Sequence, residues 1–165
     1  MAKQVRHHLT YDAALAEVAA MLADPAFREA VCERQRVLRA TVAIEPADAE
    51  VVGAGTRVSV DQVQAARGIP SFATKFVGDE IHIVQRESWR DDTTADLTWS
   101  IPGKPGEMTG TSRLHESGGR TTQTVDLTVK VSIPLVGGRL EGFIADLLIK
   151  ALDAEARAGR DYLAG

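Results

Sequence analysis

The 165-residue chain has a single cysteine, Cys32, so no internal disulfide can form. At this length none is needed, because a chain of about 150 residues buries roughly 70% of its extended surface unaided. One unpaired thiol fits a reducing cytoplasm. No stretch reaches the roughly 18 uninterrupted apolar residues of a membrane span, and Met1 to Tyr11 carries no apolar export segment, so a cytoplasmic protein without stable membrane insertion is expected. Basic charge is also short: 19 Lys and Arg against 23 Asp and Glu leave a net charge of −4, which argues against a general nucleic-acid surface. Aromatics make up only 5%, so large side chains able to plug an interior are few. What remains, 44% hydrophobic and 25% charged, is ordinary globular composition for one domain over residues 1–165.

Catalytic and cofactor signatures are equally sparse. There is no GxSxG nucleophile elbow and no Walker A loop, and Gly53-Ala54-Gly55 lacks the third glycine and following helix of a dinucleotide site. His7, His8, His82 and His115 show no HxxxH spacing and no cysteine or carboxylate cluster accompanies them, so neither metal nor cofactor is expected. Cys32 has no evident activating neighbour and reads as inert. Gly137-Gly138 opens the last helix, where a tight corner explains the pair better than an anion site.

The pattern that is present reads as strand, two short helices, six strands and one long helix. Val5, His7, Leu9 and Tyr11 alternate with polar residues, as in a half-buried strand. Asp12 is placed to cap a first helix, and Asp24-Pro25 ends it and opens a second. Between Arg36 and Gly138, β-branched alternation recurs between turn signals. Leu38, Ala40, Val42 and Ile44 share one face, and beyond a turn at Pro46 to Ala49 so do Val52, Ala54, Val58 and Val60. A two-residue turn at Gly118-Gly119 pairs Leu114 with Gln123, Ser112 with Val125 and Met108 with Val129, which aligns the apolar faces. The Asp91 turn leaves two registers open: one sets Val84 and Arg86 beside Trp99 and Leu97, the other sets Gln85 and Glu87 there. From about Arg139 to Leu163, Leu140, Phe143, Ile144, Leu147, Ala151 and Ala154 recur at helical spacing, with Glu141, Asp146, Lys150 and Asp153 mostly opposite.

This order of elements, with the phrases IPSFATKFVGD (69–79), WSIPGKPGEMTGTSRL (99–114) and VSIPLVGGRLEGFIADLLIKALDAEA (131–156), resembles the START and polyketide-cyclase-like (SRPBCC, helix-grip) superfamily, and within it an actinobacterial family known as domain of unknown function 2505. The resemblance spans nearly the whole chain. It implies an α+β helix-grip fold: a curved seven-stranded antiparallel sheet around a long C-terminal helix, with two short helices after the first strand. It also implies an apolar cavity between sheet and helix that holds lipids, polyketides or similar molecules and in some members supports their cyclisation or hydration. An empty apolar void of about 300 Å³ would cost roughly 7 kcal/mol, comparable with a domain's whole stability. Such a void must be filled by ligand, water or side chains.

The walls expected for it are Leu97, Trp99, Met108, Ser112, Leu114, Val125, Leu127, Val129 and Val131, roofed by Phe143, Leu147 and Ala151. Phe72 and Phe76, four apart on a short helical face, form either a lid or a plug. Trp89 and Trp99 need partners for their indole N–H groups if buried. The candidate polar groups are His7, Gln85, Arg86 and Glu87; a buried Glu87 would be a candidate acid or base. Three functions stay open: non-catalytic carriage of a hydrophobic small molecule, which the absence of a catalytic constellation favours, a cyclase, aromatase or hydratase-type enzyme, and a protein-interaction module with a vestigial cavity.

Overall fold

A computed structural model describes residues 2–46 and 52–165. The elements run β1 (Lys3–Tyr11), α1 (Leu15–Leu22), α2 (Pro25–Arg34), β2 (Arg39–Glu45), β3 (Arg57–Ala65), α3 (Ser71–Val77), β4 (Glu80–Trp89), β5 (Thr94–Ser100), β6 (Glu107–Ser117), β7 (Arg120–Lys130) and α4 (Gly137–Ala164). The seven strands form one antiparallel sheet in the order β1-β7-β6-β5-β4-β3-β2, so β1 crosses over to pair with β7 and the rest follow as a meander. This is the expected α+β architecture. Ala47 to Ala49, the rest of the turn read at Pro46, lie outside the described residues.

Local chemistry explains the joints. Asp24 caps α2 by accepting from the Ala26 amide at 2.9 Å, and Pro25 occupies the first turn, where its missing N–H costs nothing. Gly118 and Gly119 both have positive φ, as a tight two-residue hairpin requires, and the β6–β7 register pairs Leu114 with Gln123 and Met108 with Val129. The β4–β5 hairpin takes the longer turn: Asp91 Oδ1 accepts from the amides of Thr93 and Thr94 at 2.8 and 2.9 Å, which holds three residues in the loop. Gln85 therefore faces Trp99 and Glu87 faces Leu97, and Arg86 is exposed on the other side.

Several expectations are corrected. Asp12 lies too far ahead of α1 to cap it; the N-cap is Ala14 without a side-chain bond, and Asp12 instead accepts from Arg120 at 2.8 Å. Leu38 and Ala40 are exposed because they lie at β2, the edge strand, and Ala54 is exposed in the turn before β3. The buried face of α4 runs through Leu140, Ala145, Leu148, Leu152, Ala156 and Gly159, leaving Leu147 41% exposed and Phe143 only half-buried. Leu147 and Leu148 differ by about 100° around the helix, and apolarity alone does not choose between them. Close approach does: a Cβ on Gly159 would stand 2.5 Å from the Tyr11 ring, so the small-residue stripe must face β1. Glu141, expected on the polar face, is buried and accepts from the Val131 amide at 2.9 Å, joining the end of β7 to the start of α4.

Candidate functional site

The backbone of α4 lies closest to β1 and α2. Over the middle of the sheet the gap is bridged by side chains, and its two ends differ in chemistry. Toward α2 the bridge is ionic. Arg28 is 3% exposed and grips Glu87 in a bidentate pair, Nη1 to Oε2 at 2.8 Å and Nη2 to Oε1 at 2.9 Å, while its Nε donates to the Leu22 carbonyl at 3.0 Å. Gln85 Nε2 donates to Glu87 Oε2 at 2.8 Å and Trp89 Nε1 donates to Oε1 at 3.0 Å. A carboxylate offers about four acceptor positions, and these four donors fill them. Glu87 is thus a saturated anchor in place of the free acid or base envisaged.

Glu155, from α4, faces the same cluster with its Oε1 3.9 Å from Arg28 Nη1. Burial pushes its carboxyl up to about 7, because Arg28 is already neutralised by Glu87 and offsets only part of the desolvation. The same burial, reinforced by Glu155, pushes the Tyr11 hydroxyl well above its ordinary range. Beside this cluster lies a hollow of about 20 Å³, lined by Gln62, Gln85, Trp99, Ala151 and Glu155 together with one face of α2. That is room for about one water or one oxygen-sized group. The Trp99 indole N–H is buried and finds no acceptor among the described residues, an omission worth about 1–3 kcal/mol if nothing fills it.

The other end is apolar. Beneath α3 a hollow of about 50 Å³ is lined by Phe76, Met108, Val129, Val131, Leu140 and Ile144, among others. Ile69, Phe72 and Phe76 are half-buried and pack onto Ala73, Val131 and Leu140, a cluster separate from the main core. Arg139 stacks over the Phe72 ring at 4.1 Å. Both hollows are far smaller than the 300 Å³ considered above. Trp89, Tyr11 and Phe27 are fully buried, the Arg28–Glu87 pair is buried with them, and at about 24 cal/mol per Å³ the apolar hollow costs only about 1 kcal/mol when empty.

Of the expected wall residues, Leu97, Trp99, Met108, Ser112, Leu114, Val125, Leu127, Val129 and Val131 are buried on the inner face. Only Trp99 lines the polar hollow, and only Met108, Val129 and Val131 line the apolar one. Ala151 borders the polar hollow; Leu147 is part of neither wall. Among the polar candidates Gln85 and Glu87 converge, whereas Arg86 faces away, and His7 is spent on Asp153 of α4, Nε2 to Oδ1 at 2.7 Å. Cys32 is buried at the edge of the polar hollow and its thiol is pushed up by burial, contrary to an activated nucleophile. Among the described residues no three His, Cys, Asp or Glu side chains gather as a metal site would need, and no helix is long and apolar enough to cross a membrane. Arg28, Gln62 and Glu155 escaped the sequence reading because each is a polar residue on an amphipathic element. A helical phase drawn through Leu148, Leu152 and Ala156 would have flagged Glu155.

A curved sheet gripping a long terminal helix is the helix-grip class, and solved structures agree over nearly full length. The Zhui aromatase/cyclase from Streptomyces sp. R1128 superposes with a TM-score of 0.66 at 13% identity, covering 98% of this chain and 93% of that one. TTHA0849 from Thermus thermophilus gives 0.65 at 18% identity, with 96% and 95% covered. Ara h 8.0201 gives 0.62 at 14%, with both chains fully covered. Within that class the chain belongs to the family described as protein of unknown function (DUF2505), which matches residues 6–163. The Mycobacterium tuberculosis H37Rv protein Rv0481c is 29% identical over 103 residues, covering 58% of this chain; the match spans about three fifths of that relative's length.

Proposed function

We propose that the chain binds a hydrophobic small molecule between α4 and the sheet, admitted beneath α3. The observation that carries this reading is the construction of α3: a seven-residue helix between Gly68 and Gly78, both at positive φ, that lays the half-buried Phe76 ring over an apolar hollow, with Phe72 packed outside it under Arg139. Such a helix is a cover fastened by side chains, and an occupant larger than the present hollow takes the place of Phe76. The direct test is titration with the neutral fluorophore N-phenyl-1-naphthylamine. Saturable one-to-one binding is expected, weakened at least about tenfold by Ile144→Trp, which fills the hollow, with circular dichroism unchanged. Absence of saturable binding, or equal binding by a folded Ile144→Trp variant, overturns the proposal.

A second reading, proton-transfer catalysis on a bound polyketide-like substrate, is favoured by one observation: a buried carboxyl near neutrality at the rim of a polar hollow. The group concerned is Glu155, since Glu87 is saturated. Turnover of a β-keto thioester that is lost in Glu155→Gln would support catalysis, and unchanged turnover in that variant would remove Glu155 from it.

A further inference from the structure

The two hollows are neighbours across one pair of side chains. Trp99, which lines the polar hollow, is the cross-strand partner of Met108, which lines the apolar one. Along α4, Ile144 borders the apolar hollow and Ala151 the polar one, seven residues and roughly 10 Å apart. Methionine is unbranched and re-packs readily, so Met108 is a side chain through which the two hollows can join.

Resting on the binding reading above, we infer that the polar hollow holds the acceptor oxygen, carbonyl or hydroxyl, of the same hydrophobic ligand, with the Trp99 indole N–H as its donor. The indole is 9% exposed and has no acceptor among the described residues. The hollow beside it suits a single oxygen-sized group. Gln62 and Gln85 flank it, and the Glu155 carboxyl, with its raised pKa, adds a second donor whenever it holds its proton. The ligand class is therefore an apolar body with one uncharged oxygen at the end directed toward α2. A carboxylate head is disfavoured, since Arg28 is already paired with Glu87 and no further cation among the described residues lines the hollow.

The test compares 2-acetylnaphthalene with 2-ethylnaphthalene, matched in shape and differing in the carbonyl, as competitors of the bound fluorophore. The acetyl compound is expected to bind about tenfold more tightly to the wild type. At about pH 8, where Glu155 has released its proton, Trp99→Phe should bring the ratio to about one, a ratio in which packing lost to both compounds cancels. In the wild type, the carbonyl stretch of bound 2-acetylnaphthalene should move to lower wavenumber than in hexane, a readout that does not depend on the variant folding. Equal affinities for the two compounds, or an unshifted carbonyl, overturn the oxygen site while the binding reading stands. Failure of both compounds and of the fluorophore to bind overturns the two together.

Discussion

The two ends of the interior solve the same geometric problem in opposite ways. Where α4 stands off from the sheet near α2, the gap is closed by charge, with Arg28, Glu87, Gln85 and Trp89 locked by four directional bonds to one carboxylate. Near α3 it is closed by non-directional packing of half-buried Ile69, Phe72 and Phe76. Ionic closure is unforgiving, because a missing partner strands a buried charge. Apolar closure is graded, because each contact contributes in proportion to area. The chain thus places rigidity at one end of α4 and adaptability at the other.

The sharpest way to break this contrast is at Arg28. Arg28→Met strands Glu87 and should lose about 3–5 kcal/mol in urea unfolding; a loss below about 1 kcal/mol would mean that the ionic end is not rigid. Next in size is the pH response of Glu155. Its carboxyl keeps its proton up to about 7 when folded and releases it near the ordinary value of 4.5 when unfolded. Its contribution is therefore fully present below about 4.5 and disappears as pH rises through about 7, a change on the order of 3 kcal/mol. Glu155→Gln should match the wild type near pH 4.5 and exceed it at about pH 8, as read from unfolding midpoints across that range; parallel profiles would place the surplus charge elsewhere.

At the apolar end the effects are smaller. Leu140→Ala should cost about 2 kcal/mol, the low end of the range for such a truncation, because α3 can settle into the space. A cost above about 4 kcal/mol would show that this end is as rigid as the other. Smallest of all, Phe72→Ala should cost about 1 kcal/mol and raise hydrogen exchange in residues 71–77, with β6 and β7 unaffected. Exchange spreading into β7 would mean that α3 belongs to the main core.

The topology was legible where sequence periodicity and turn chemistry agree. The Gly118-Gly119 hairpin could be registered because a two-residue turn leaves one pairing that aligns Met108 and Leu114 with Val129 and Gln123. The β4–β5 register was not, since it depends on which amides Asp91 accepts from, and both parities bring plausible residues inward. The phase of α4 was misread for a related reason: adjacent leucines at 147 and 148 satisfy hydrophobic spacing equally, and the choice is made by the contact of Gly159 with Tyr11, distant in sequence. Part of the site was visible, in Gln85, Glu87 and Trp99. Glu155 follows only once the phase of α4 is set through Leu148 and Leu152, and Arg28 is buried by its tertiary pairing with Glu87, which no local pattern records.

The seat of Gly159 against Tyr11 gives α4 one fixed end, and the bond from the Val131 amide to Glu141 gives it another. With His7 tied to Asp153 between them, the rod is pinned along its length. Slack at the apolar end therefore belongs to α3, which rests on Val131 and Leu140 through half-buried side chains.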